Sequence, residues 1–288
     1  MRDLSAVVCS LGHLAAARDL ARAGFSRERL TYAVAHGELW RPRRGTYACR
    51  HVDADLAFAA QVGGALTCVS ALSRLGVWSG FDIRLHLQVA TTHGRIPLTI
   101  DPRGRLPRVH WHDPRFGMAS RWLATPQQAL WQALHCLDLE NALAALESAV
   151  HCGVVGSAEV AHFAAETPKR LIEDLPELNF GSGSGYESIV RFRLLKRGFR
   201  VQSQAYVPGL GHQDLLVEDI VGLEVDGKYF HDTEDQFALD RDRDLHAAAL
   251  GRTTLRLRPA HVTRDWDLVL AAIERMVADG RRARGHRI

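Results

Sequence analysis

Apolar residues recur at two spacings along this chain, and each change of spacing marks an element. Leu14 to Ala23 has alanine-rich helical character that stops at Gly24; Ser26 is placed to cap a second helix, Arg27 to His36, which stops at Gly37. Glu38-Leu39-Trp40-Arg41 and Thr46-Tyr47-Ala48-Cys49 then flank Pro42-Arg43-Arg44-Gly45, the pattern of a hairpin with a basic tip. Further on, Arg84 to Ala90 and Val109 to His112 alternate as half-buried strands. Thr125 to Cys136 and Leu139 to Cys152 carry Leu130, Ala133, Leu134 and Leu143, Leu146, Val150 at helical spacing. Tyr186 to Leu195 predicts a helix ended by Gly198. Three strands follow, Arg200 to Val207, Gln213 to Val217 and Ile220 to Val225, joined by a turn at Pro208–Gly211 and a tight reversal at Glu218-Asp219. Gln236 to Leu250 predicts a charged helix, Thr253 to Leu257 a strand, and Trp266 to Val277 a last amphipathic helix.

Composition changes this picture little. The chain has 288 residues, 47% of them hydrophobic, enough for more than one core. Pro168, Pro176 and the run Phe180-Gly-Ser-Gly-Ser-Gly185 mark the best boundary and suggest a flexible lead into the next helix. That glycine run is no dinucleotide fingerprint, because no strand precedes it. The expected division is 1–50, 51–180, 181–280 and a basic, disordered tail at 281–288. The start lacks the charged and apolar regions of a signal peptide, and no stretch is long and apolar enough to span a bilayer, so a cytoplasmic protein is expected. Cys9, Cys49, Cys68, Cys136 and Cys152 show no CxxC spacing, which argues for reduced thiols over bridges or structural zinc. His110 and His112 could share a strand face, but no further ligand spacing accompanies them. The net charge of +3 is uneven: residues 1–50 and 252–288 each hold nine Arg against four acids.

Candidate chemistry lies in two places. Helix, turn, helix and basic hairpin is the order of a winged helix-turn-helix, which would bring Arg27, Arg29, Thr31 and Tyr32 near DNA and lay Arg41, Arg43 and Arg44 on phosphates. A small helical module with a solvated arginine face is the plainer alternative. The second place is Gly222-Leu223-Glu224-Val225-Asp226-Gly227-Lys228. Side chains alternate across a strand, so Leu223 and Val225 face a core while Glu224 and Asp226 share the other side. Adjacent carboxylates repel unless neutralised, and Mg²⁺ or Mn²⁺ takes one or two carboxylates with waters and phosphate oxygens completing its shell. The hairpin brings Asp214 beside Glu224, and Glu187 lies in the first turn of the preceding helix, where it also suits the helix dipole. Asp214, Glu224 and Glu187 are therefore the candidate metal ligands, against the alternative of a solvated acidic face.

The helix with Glu187, the hairpin with Asp214, Glu224-Val225-Asp226-Gly227, His231 and Asp240-Arg241-Asp242-Arg243-Asp244 together resemble the DUF559 family. That family is related to the very-short-patch repair endonucleases of the PD-(D/E)XK superfamily. The resemblance covers about the last third of the chain. It implies an α/β chain with a restriction-endonuclease-like C-terminal domain, a mixed sheet flanked by helices, following an α/β middle region. It also implies Mg²⁺-dependent hydrolysis of DNA phosphodiester bonds, with Arg243 as a phosphate contact. Where that superfamily has a lysine two residues after the second acid, this chain has Asp226, so Lys228 or His231 would supply the positive or proton-transferring group. Residues 13–47 resemble the winged helix of AbiEi-type antitoxins, which implies DNA, a toxin or a second copy of the chain as partners. The alternative to an endonuclease is a DNA-binding regulator whose nuclease-like domain is an inactive platform.

Overall fold

The computed structural model describes residues 3–91, 100–111, 114–167, 176–208, 210–226, 247, 249 and 253–285. His112, Gly227, Lys228, His231 and Arg243, with most of the charged helix expected at 236–250, lie outside the described residues. The architecture is mixed α/β, several sheets flanked by helices, in two compact units: Met1–Leu75 with Phe81–Ala133, and Gly76–Gly80 with Leu134–Ile288.

The first unit opens with helix α1 (Leu4–Ser10), strand β1 (Leu14–Ala16), helices α2 (Ala17–Arg22) and α3 (Arg27–Ala35), and strands β2 (Trp40–Arg43) and β3 (Thr46–Ala48). Asp3 accepts the amides of Ser5 and Ala6 to cap α1, and Ser26 accepts that of Arg29 to cap α3. The helix expected over 14–23 begins only at Ala17. Leu14, Ala15 and Ala16 instead pair antiparallel with Ala48, Tyr47 and Thr46, and all three are buried as the edge of a β1-β3-β2 sheet. Alanine's helix propensity yields here to tertiary pairing, as it does wherever an edge offers a full ladder. Leu4, Val8, Leu20, Leu30, Leu39 and Tyr47 fill the space between these helices and the sheet. A small sheet behind helices in this order is compatible with a winged helix.

The rest of that unit is α4 (Ala54–Val62), β4 (Ala65–Leu66), α5 (Cys68–Arg74), β5 (His86–Val89), β6 (Arg108–Trp111), β7 (Met118–Ser120), β8 (Leu123–Ala124) and α6 (Pro126–Leu134), around a sheet ordered β6-β5-β4-β8-β7. Alternation suggested that β5 is half buried; in fact all four of its residues are buried. Its polar side chains are accommodated by bonding. Gln88 Oε1 accepts Gln128 Nε2 at 3.1 Å and Gln132 Nε2 at 2.7 Å, while Thr67 Oγ1 donates to Gln132 Oε1.

The second unit comprises α7 (Leu139–His151), α8 (Ser157–Glu166), α9 (Gly185–Lys196), β9 (Val201–Val207), β10 (Gly211–Val217), β11 (Val221–Val225), β12 (Thr253–Leu257), α10 (Pro259–Thr263) and α11 (Trp266–Gly285). Its sheet runs β12-β11-β10-β9, antiparallel except for the β11–β12 pair. Leu215, Val217, Leu223 and Val225 pack with Ile189 and Val190 of α9 and with Leu270 and Ile273 of α11. Two expectations change. The lead into α9 is anchored: Glu147, in a buried ion pair with Arg191, accepts the Asn179 amide at 2.7 Å and the Ser182 hydroxyl, and Ser184 caps the helix. The arginine-rich end is helical through Gly285 because Arg281 reaches Glu218 at 2.9 Å and Arg284 donates to the Asp219 carbonyl, giving the last turns a surface to follow.

Candidate functional site

The acidic site of the second unit depends on a break in strand alternation. Val201 packs with the α9 side of the sheet, whereas Ala205 and Val207 join Leu210 and Leu216 on the opposite side, although all three of these β9 positions are odd-numbered. In β10, Leu215 and Val217 face α9, yet Gln213 lies beside Gly222 and Thr254 in the cavity that Leu216 also lines. Both strands therefore change phase at the same point, between the pairs Gln213↔Ala205 and Leu215↔Ser203. Gln204 stands there at φ 49, a conformation uncommon for a non-glycine residue, and breaks of this kind re-aim side chains near functional sites.

Asp214 occupies the other strand at this break. Its Oδ2 accepts the Val225 amide at 2.7 Å, and Gln204 Nε2 reaches both Asp214 Oδ1 at 3.5 Å and Glu187 Oε2 at 3.2 Å. Glu187, buried in the first turn of α9, also accepts the Gly183 amide at 2.9 Å. Burial foremost, and then the charge of Asp214, push the Glu187 carboxyl up to about 7. Glu224 is half buried on β11, where its Cα partner on β12 is Arg256, and the Asp226 amide donates to the Leu257 carbonyl. The expected ligands are thus only partly assembled. Glu187 and Asp214 meet, but among the described residues the three carboxylates do not form a group with all donor atoms within 4.8 Å of one another. Glu187 and Asp214 are the two carboxylates that could hold a cation, with waters completing its shell; here one amide bridges them. Gln204 went unnoticed in the sequence; the only sign of it was the polar run Gln202-Ser203-Gln204 inside an otherwise apolar strand.

On the first unit, Arg27, Thr31 and Tyr32 are exposed on α3, and Arg41, Arg43 and Arg44 are exposed at the β2–β3 hairpin, whose tip turns at Gly45 with φ 78. Arg29 is engaged elsewhere, paired with Glu38 and set over the Tyr32 ring at 5.6 Å. Tyr32 in turn stacks on His36 with ring centroids 3.7 Å apart. Arg43 donates to the Val62 carbonyl at 3.3 Å, tying the hairpin to α4. Arg27, Arg41 and Arg44 remain as exposed cations on one helix and one hairpin.

Residues 13–49 match the family model of a transcriptional regulator, the AbiEi antitoxin. The AbiEi-like segment runs from the residue before β1 to the residue after β3, so it includes α2, α3 and the hairpin but not α1. No curated protein matches the chain. No helix among the described residues is long and apolar enough to cross a membrane.

Proposed function

We propose that this chain is a DNA-binding regulator of the AbiEi-like type. The order of α2, α3 and the basic hairpin, with Arg27, Arg41 and Arg44 exposed, supports the reading. The N-terminal turn of α3 would enter the major groove, and the hairpin arginines would meet phosphates on its flank. A toxin, or a second copy of the chain bound to an adjacent half-site, would complete the partners. Selection of binding sequences from random duplexes tests this. Recovery of one enriched motif, with altered preference in Arg27→Ala or Tyr32→Ala, is the expected result, and retention of random sequence alone would refute it.

A second reading, Mg²⁺-dependent endonuclease activity on DNA, is favoured by the Glu187–Asp214 pair and by the DUF559 resemblance. A bound divalent ion would neutralise the scissile phosphate and lower the pKa of an attacking water. Asp214, fixed by the Val225 amide, would hold it, and Glu224 is the remaining acid of the proposed set. Glu187, buried beside Asp214 and joined to it by the Gln204 amide, would complete the metal's shell. Lys228 and His231 are the proposed proton-transferring groups. Supercoiled plasmid with Mg²⁺, Mn²⁺ or EDTA decides between the readings. Cleavage that needs the metal and disappears in both Asp214→Asn and Glu224→Gln supports an enzyme, and intact plasmid throughout leaves a platform.

A further inference from the structure

Away from both of these places, three side chains of the first unit converge on one point. Cys68 is the first residue of α5, His86 the first of β5, and His110 lies on β6, the parallel neighbour of β5. One donor atom from each falls within 4.8 Å of the others. We infer that Cys68, His86 and His110 bind a zinc ion.

The geometry has three parts. First, His86 Nδ1 and His110 Nε2 are 3.2 Å apart. With Zn–N bonds of about 2.0–2.1 Å, two tetrahedral ligands are separated by about 3.3–3.4 Å, so the nitrogens already stand near the required edge. Second, the other nitrogen of His86, Nε2, lies 3.1 Å from Asp82 Oδ2, and Arg84 Nη2 donates to that same oxygen at 2.6 Å. A carboxylate on the second ring nitrogen fixes the tautomer that leaves Nδ1 its lone pair, the usual outer partner of a metal-bound imidazole. Third, Cys68 and His86 are 0% exposed and His110 is half buried, and Cys68 takes φ 50, an uncommon backbone for a non-glycine residue. A hydrogen bond between two imidazoles would explain the nitrogen spacing alone; it gives no reason for a thiol at the same point. One thiolate with two imidazoles is a donor set that suits zinc. Cys9, His13 and Cys49 form a rival group in the same unit. There the sulfurs are 2.8 Å apart, well inside the roughly 3.8 Å edge that a tetrahedral zinc dithiolate needs, and the one imidazole, His13, meets a sulfur at 3.3 Å.

The full-length chain, purified under reducing conditions with zinc and then desalted, should retain one equivalent of zinc by elemental analysis. Cys68→Ser and His110→Gln should each lose it, while a Cys9→Ser/Cys49→Ser protein keeps it. Because a ligand variant can misfold, two readouts use other proteins. Cobalt added to the metal-free wild type should give the absorption of a tetrahedral site with a thiolate ligand, displaced by zinc. Asp82→Asn, which leaves all three ligands in place, should weaken zinc binding by about 10–100-fold. Wild type without zinc and without the cobalt–thiolate absorption would overturn the site, as would zinc lost from the Cys9/Cys49 variant but kept by a folded Cys68→Ser.

Discussion

Glu187 and Asp214 share one bridging amide, and burial foremost, then the charge of Asp214, weighs on Glu187. A carboxyl that holds its proton more tightly when folded adds stability in full below its unfolded pKa, near 4.5, and that stability is lost as pH rises through about 7. In EDTA, melting of the wild type should therefore fall between about pH 5 and pH 8 relative to Glu187→Gln, whose neutral amide cannot titrate. The ceiling on this loss is on the order of 3 kcal/mol. Parallel melting curves for the two proteins across that range would remove the coupling. These two acids were legible in the sequence because a carboxylate in a strand and another in a helix's first turn are marked by residue type alone. Gln204 was not, since its role comes from a backbone angle that no spacing announces. The grouping of Cys68, His86 and His110 was not legible for a related reason: the pairing of β5 with β6 brings His86 to His110, and the Thr67 amide on the His86 carbonyl brings in Cys68, contacts that no spacing announces.

At the scale of elements, α9 begins against an indole. A Cβ added to Gly185 would stand 2.2 Å from the Trp78 ring, and that ring is held by a 2.9 Å bond to Asn141 and by Tyr186 edge-on at 4.7 Å. With its neighbours fixed, the ring cannot yield cheaply. Gly185→Ala should destabilise the second unit by about 3 kcal/mol, the upper end for an overpacked core, with a shifted tryptophan emission. Loss below about 0.5 kcal/mol in urea titration would show that the contact relaxes. The helices α3, α7 and α9 could be placed from their caps and apolar spacing, and the hairpin β10–β11 from its reversal at Glu218-Asp219, both residues at positive φ. Strand β1 and the last turns of α11 could not. Each depends on a partner distant in sequence, the β3 edge for one and the Glu218-Asp219 turn for the other.

For the whole molecule, the modest net charge conceals basic ends, and the exposed hairpin turns that asymmetry toward phosphate. Arg43 already serves the Val62 carbonyl, so Arg41 and Arg44 are the cations to remove. Replacing both by alanine should lower the slope of log K against log salt for duplex DNA by about 1.8, with similar losses on unrelated sequences. An unchanged slope, read by fluorescence anisotropy over a salt series, would leave the hairpin without a phosphate role.

The paired phase change at Gln204 and Asp214 also bears on chain length. Remove both residues on paper and β9 and β10 become regular: Val201 still faces α9, Ala205 and Val207 still face Leu216, and Gln213 and Leu215 keep the sides they have. The apolar layers would close just as well around a chain two residues shorter. What the longer chain gains is the bridging amide and the carboxylate beneath Glu187, two polar groups inserted where an unbroken hairpin would have none.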